Sequence, residues 1–91
     1  MAEQEIVVSL NVPFDERERL HHQFRNFGED AFRWLRGNDA GEVKLSEVDS
    51  SNGNFTIRRV KRSKSRTVMR WVSDEAERQH LPILLEERQL P

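Results

Sequence analysis

Five apolar residues at helical spacing constrain this chain more than any other feature. Leu20, Phe24, Phe27, Ala31 and Leu35 recur at intervals of four, three, four and four. That places them on one face of an α-helix. A helix of this kind is held mainly by burial of its apolar face, so a second apolar layer must cover the stripe. Its start is marked by Asp15 and, three residues on, Glu18, a pattern that reads as a capping box with Phe14 as the hydrophobic residue before the cap. Gly37 reads as the stop. Gly28 falls inside the pattern and costs ~1 kcal/mol relative to Ala; it is a place for a kink or a division, although the apolar stripe continues past it.

The covering layer is expected to be a sheet. Glu5 to Val12 reads EIVVSLNV, a strand with Ile6, Val8, Leu10 and Val12 on one face; Pro13 ends it, because proline cannot donate to a ladder. Three further strands are expected over Glu42–Val48, Phe55–Arg62 and Arg66–Val72. Asn52-Gly53 supplies a hairpin signal between the first two of these, and the polar stretch Lys61–Ser65 reads as the turn before the last. Their apolar residues do not alternate cleanly, and a β-bulge in at least one strand would reconcile them. Ser73 then reads as the cap of a short helix opened by Asp74 and Glu75, which Pro82 interrupts. The stretch LPILLEERQLP is either a last helical turn or an extended segment. The expected fold is a single small α+β domain over residues 1–91 in the order strand, helix, three strands, helix. Its sheet is mostly antiparallel with the first helix packed on one face, and residues 81–91 are core or a partly flexible tail.

Charge is segregated along the chain. From Arg58 to Arg70 the sequence reads RRVKRSKSRTVMR, seven Lys or Arg without an acid, in a chain whose formal net charge is −1. No Asp or Glu occurs between Asp49 and Asp74. Placed on a hairpin, Arg58, Arg59, Lys61, Arg62, Lys64, Arg66 and Arg70 would form a cationic arm able to contact phosphates. Trp71 and Phe55 could stack on bases or pair with an arginine. The competing reading is a solvated arm balanced by Glu16, Glu18, Glu29 and Asp30 of the first helix. The pI of 6.3 favours that balance, since nucleic-acid domains are mostly basic overall.

Other chemistries find little support in the residues. The absence of cysteine excludes a disulfide framework, a thiolate metal site and a cysteine nucleophile. His21 and His22 are adjacent on the first helix, about 100° apart, and cannot ligate one metal from the same face. No phosphate-binding glycine loop, G-x-S-x-G or H-E-x-x-H occurs. MAEQEIVVSL lacks the basic region of a signal peptide, and no stretch approaches the ~18 apolar residues of a membrane span. The residues thus imply a cytoplasmic, non-enzymatic protein without cofactor, metal or membrane contact. Two functions remain. One is a polyanion binder whose partner is RNA, DNA or an acidic protein surface. The other is a protein-interaction or homodimerisation module using a strand edge or the aliphatic residues Leu81, Ile83, Leu84 and Leu85, with the basic run serving solubility and edge protection.

Overall fold

A computed structural model describes residues 3–49 and 52–89. The elements are β1 (Glu3–Leu10), α1 (Phe14–Asn38), β2 (Glu42–Val43), α2 (Leu45–Asp49), β3 (Asn54–Lys61), a 3-10 turn (Arg62–Lys64), α3 (Ser65–Arg78) and β4 (Ile83–Gln89). The sheet runs in the order β2-β3-β1-β4, with every neighbouring pair antiparallel. With the short α2 set aside, this is the β-α-β-β-α-β order of a split β-α-β sandwich. The result is an α+β domain in which α1 lies on one face of an antiparallel sheet. Among the described residues no helix is long and apolar enough to cross a membrane.

The stripe on α1 is buried as its spacing requires, Leu20, Phe24, Phe27, Ala31 and Leu35 all facing the core. It meets Ile6, Val8 and Leu10 of β1 and Phe55, Ile57 and Val60 of β3. Val60 follows Ile57 by three residues, so strict alternation would turn it outward. A bulge supplies the missing phase. The β1–β3 register shifts between Gln4 and Ile6, and Arg59 takes a left-handed φ of 57°. Val60 is thereby returned to the core side and the two arginines are left outside.

Gly28 does not divide α1, which is continuous over 25 residues. Its role is to admit α2: a Cβ at Gly28 would lie 2.6 Å from Cγ1 of Val48. This explains why Glu42–Val48 is not a strand. Only Glu42 and Val43 pair with β3; the chain then turns into α2, burying Val48 over the glycine. Asn52-Gly53 therefore does not close a two-residue hairpin between β2 and β3. Gly53 adopts φ 74°, and its carbonyl accepts the Leu10 N–H at 2.8 Å. Residues 50 and 51 lie outside the described ones.

The α1 N-terminus also differs from expectation. Pro13 occupies the cap position without a side-chain cap bond, its carbonyl accepting the Glu16 N–H, and Phe14 is 85% exposed rather than stapled. Asp15 sits inside the first turn, where its charge still suits the helix dipole. The C-terminus closes one residue past Gly37, with Asp39 in the left-handed conformation and Lys64 Nζ donating to the carbonyls of Asn38 and Asp39.

The largest correction concerns residues 62–78. Arg66–Val72 is not a strand, and the helix does not begin at Ser73. A single helix, α3, runs from Ser65 to Arg78 and buries Ser65, Val68, Val72 and Ala76. The spacing of four among the last three is helical; the β-branched and aromatic letters TVMRWV suggested a strand because their local propensity is a weak prior beside packing. His80 turns left-handed, and the Leu81 N–H closes back on the Ala76 carbonyl at 2.8 Å. Pro82 then leads into β4, so the segment after it is extended and forms the fourth strand.

Two substitutions test this packing. Phe24 sits in a triad with Phe27 and Phe55, with ring centroids 5.4 to 6.1 Å apart. Phe24→Ala is expected to cost ~3–5 kcal/mol in chemical denaturation. Gly28→Ala should destabilise, although helix propensity alone would favour alanine by ~1 kcal/mol. In a Val48→Ala background the same change should become neutral or stabilising, because the β-branched side chain it strikes is gone.

Candidate functional site

The cationic residues do not share a hairpin. Arg58, Arg59 and Lys61 are on β3, Arg62 and Lys64 in the 3-10 turn, and Arg66, Arg70 and Trp71 on α3. Folding supplies a counterion to three of the seven and backbone carbonyls to a fourth. Arg58 makes a two-pronged bond to Glu47, at 2.7 and 2.9 Å, and lies 3.8 Å from Glu5. Arg59 faces Glu42 at 3.8 Å and Lys61 faces Asp39 at 3.9 Å. Lys64 is occupied by the last carbonyls of α1. Among the described residues, only Arg62, Arg66 and Arg70 of the seven form no ion pair or hydrogen bond through their side chains.

The two aromatic candidates are also committed elsewhere. Phe55 is fully buried in the phenylalanine triad and cannot stack on a base. Trp71 stacks on Trp34 of α1, with centroids 4.8 Å apart and planes 14° from parallel, and ties the two long helices together. His21 and His22 stay on α1 and His80 follows α3. Among the described residues no three potential metal ligands gather.

The aliphatic candidates Leu81, Ile83, Leu84 and Leu85 do come together, at the free margin of the sheet. Leu81 is buried; Ile83 and Leu85 pack half-buried on the core. Leu84 points the other way along β4 and is 57% exposed. Between α3 and β4 lies a shallow, open groove of about 490 Å³, lined by Ala76, Leu81, Ile83, Leu84 and Leu85 together with Ser73 and Glu77. The strand beside the groove has one free edge. The Asn11 N–H bonds to the Pro82 carbonyl, which marks that position as a pair bonded towards β1. By alternation, Leu84, Glu86 and Arg88 bond to β1, while the backbone groups of Ile83, Leu85 and Glu87 point outward. The opposite margin is closed: β2 covers Ile57 and Arg58, and Glu47 of α2 accepts the Thr56 N–H.

Further along β4, beyond the groove, the contacts are polar. Glu87, on the helix side of β4, accepts from Ser65 Oγ at 3.1 Å and from Gln4 Nε2 at 3.3 Å. The first turn of α3 contains no acid; Glu87 supplies that negative charge from a neighbouring strand, where it complements the helix dipole. Sequence reasoning did not foresee the Ser65–Glu87 bond or the Glu47–Arg58 pair, whose partners lie 22 and 11 positions apart.

The Glu47–Arg58 pair has a pH signature. The hydrogen bonds from Arg58, opposed by partial burial and aided by the Thr56 N–H, hold the Glu47 carboxyl below its ordinary value. A group depressed in the folded state stabilises above its unfolded pKa and loses that contribution as pH falls through the folded one. Glu47→Gln should therefore be less stable than the parent at neutral pH. The gap should close as pH drops below the ordinary carboxylate range, as read by denaturant midpoints over a pH series.

No protein-family model, curated protein or solved structure matches the chain.

Proposed function

We propose that this protein is a protein-interaction module that accepts an extended strand at the free edge of β4. The carrying observation is the pairing of a seven-residue edge strand with an apolar groove running beside it under α3. Strand addition uses the same two components: main-chain bonds along the edge for affinity, and recesses beside it for alternate side chains. Natural edges are usually blunted by charge, proline or short length. The outer half of β4 follows that rule with Glu86, Glu87 and Arg88. Its inner half, Ile83-Leu84-Leu85, does not, and there the outward backbone groups of Ile83 and Leu85 coincide with the groove.

The dispersal of the basic run supports the same choice. A polyanion site needs several cations free of internal partners on one surface; here Arg58 is held by Glu47 and Lys64 by helix carbonyls, Arg59 and Lys61 meet acids in exposed pairs, and the run is spread over a strand, a turn and a helix.

The test is a titration of isotope-labelled protein with short apolar peptides able to extend, and in parallel with RNA and DNA oligomers at low salt. Peptide should shift the amides of Ile83 and Leu85 and residues of α3 around Ser73, and nucleic acid should leave them unmoved. The reading is overturned if peptides shift nothing while an oligomer shifts Arg62, Arg66 and Arg70 with a salt slope of about −2 to −3, the value for three phosphate contacts.

A further inference from the structure

We infer that the strand accepted at this edge is β4 of a second copy of the chain, paired antiparallel about a two-fold axis at Leu84, with Arg66 of each copy meeting Glu77 of the other. This rests on the interaction-module reading and names its partner. The first support is register. When a strand pairs with its own copy about a two-fold and the two sheets continue as one, the axis must fall on a residue; a centre between residues would set the helix face of one copy against the open face of the other. Few centres are then available on β4. An axis at Glu86 or Glu87 sets two identical carboxylates directly opposite one another, which destabilises a strand pair. An axis at Leu85 sets Leu84 against Glu86 and Ile83 against Glu87. An axis at Leu84 sets Leu84 against Leu84 on the open face and Ile83 against Leu85 beside the groove, so every apolar residue of the strand meets another. It also makes Ile83 and Leu85, whose backbone groups already point outward, the pair that exchanges hydrogen bonds.

The second support comes from α3 and does not depend on the strand. Arg66 and Glu77 are both exposed. Among the described residues neither side chain has an ion-pair or hydrogen-bond partner. Eleven positions are about three helical turns, so both lie on the same line of α3, beside Ser73 on the groove side. They are too far apart to pair within one chain. A two-fold at the strand edge that brings each against the other in the second copy must lie level with the midpoint of the two, between Trp71 and Val72. The position of the strand axis on α3 follows from the Ser65–Glu87 bond, which sets the two elements level. From Glu87 to Leu84 is about 10 Å of strand at ~3.3 Å per residue, equal to roughly seven helical residues at ~1.5 Å each. That brings the Leu84 axis level with Trp71–Val72. Strand register and helix charge thus select the same axis, and the arginines and glutamates left over by the monomer become complementary across it.

The experiment is sedimentation of the full chain over a dilution series, with circular dichroism of each variant. The wild type should double in mass as concentration rises. Leu84→Lys, which opposes two like charges at the axis, should remain folded and weaken association by about tenfold or more. Arg66→Glu and Glu77→Arg should each do the same, since each puts like charges at both contacts. An equimolar mixture of these two variants should recover the dimer, because both contacts between unlike chains then pair a carboxylate of the first variant with a guanidinium of the second. A wild type that stays monomeric at the highest concentration overturns the inference, as does a dimer indifferent to Leu84→Lys or a mixture that fails to reassociate. If the chain is monomeric but peptides still shift β4, self-pairing falls and the strand-accepting module stands. If peptides also shift nothing, both fall.

Discussion

The contact between the aromatic face of α1 and the centre of the sheet is the one on which the other features depend. Phe24 and Phe27 meet Phe55 of β3 with all three rings buried. A domain this small has a single core, and those rings are its bulkiest members. With α1 seated there, Gly28 faces the space that Val48 fills, so the chain after β2 must turn into α2 instead of extending along β3. α2 in turn delivers Glu47 to Arg58 and to the Thr56 N–H. One margin of the sheet is closed as a consequence of how one helix sits on its face.

The bulge at Arg58–Arg59 is the second constraint. A regular β3 would bury Phe55, Ile57 and Arg59 and expose Val60. The left-handed turn of Arg59 reverses the phase, keeping a guanidinium out of the core, where an unpaired charge would be very costly. The same reversal separates Arg58, held half-buried between Glu47 and Glu5, from Arg59 at the exposed Glu42. The β3 part of a positive run continuous in sequence becomes a set of local ion pairs in space. Most of these pairs are solvated and add little stability singly, but they offset the charge of Arg58, Arg59 and Lys61 locally.

The two margins of the sheet are therefore unequal. β3 ends under β2, α2 and their side chains. β4 ends in open backbone beside an apolar groove, with α3 above carrying Arg66 and Arg70 in its first half and, besides the paired Glu75 and Arg78, Asp74 and Glu77 in its second. That distribution is unfavourable for the isolated helix, whose positive end would prefer acid; Glu87 from β4 compensates locally. An arrangement that is awkward within one chain and complementary between two copies is the physical basis of the proposed assembly.

Much of the fold was legible in the residues, because period and punctuation act locally. The α1 stripe, β1 and the need for a bulge all follow from spacing. So does the α+β class, since a long amphipathic helix and several short β-rich segments leave few other solutions. The errors share one origin. Glu42–Val48 and Arg66–Val72 both read as strands, and only the contacts with Gly28 and with the core beneath α3 turn Leu45–Asp49 and Ser65–Arg78 into helix. The candidate site was half visible. Leu81, Ile83, Leu84 and Leu85 stood out as an aliphatic cluster, and the sequence determined that they would be available for burial or for pairing. Which edge they lie on, which backbone groups face outward, and which cations lose their charge to a neighbour depend on residues distant in the chain. Those were decided by the tertiary structure alone, because hydrogen-bond direction and ion pairing are properties of position in space.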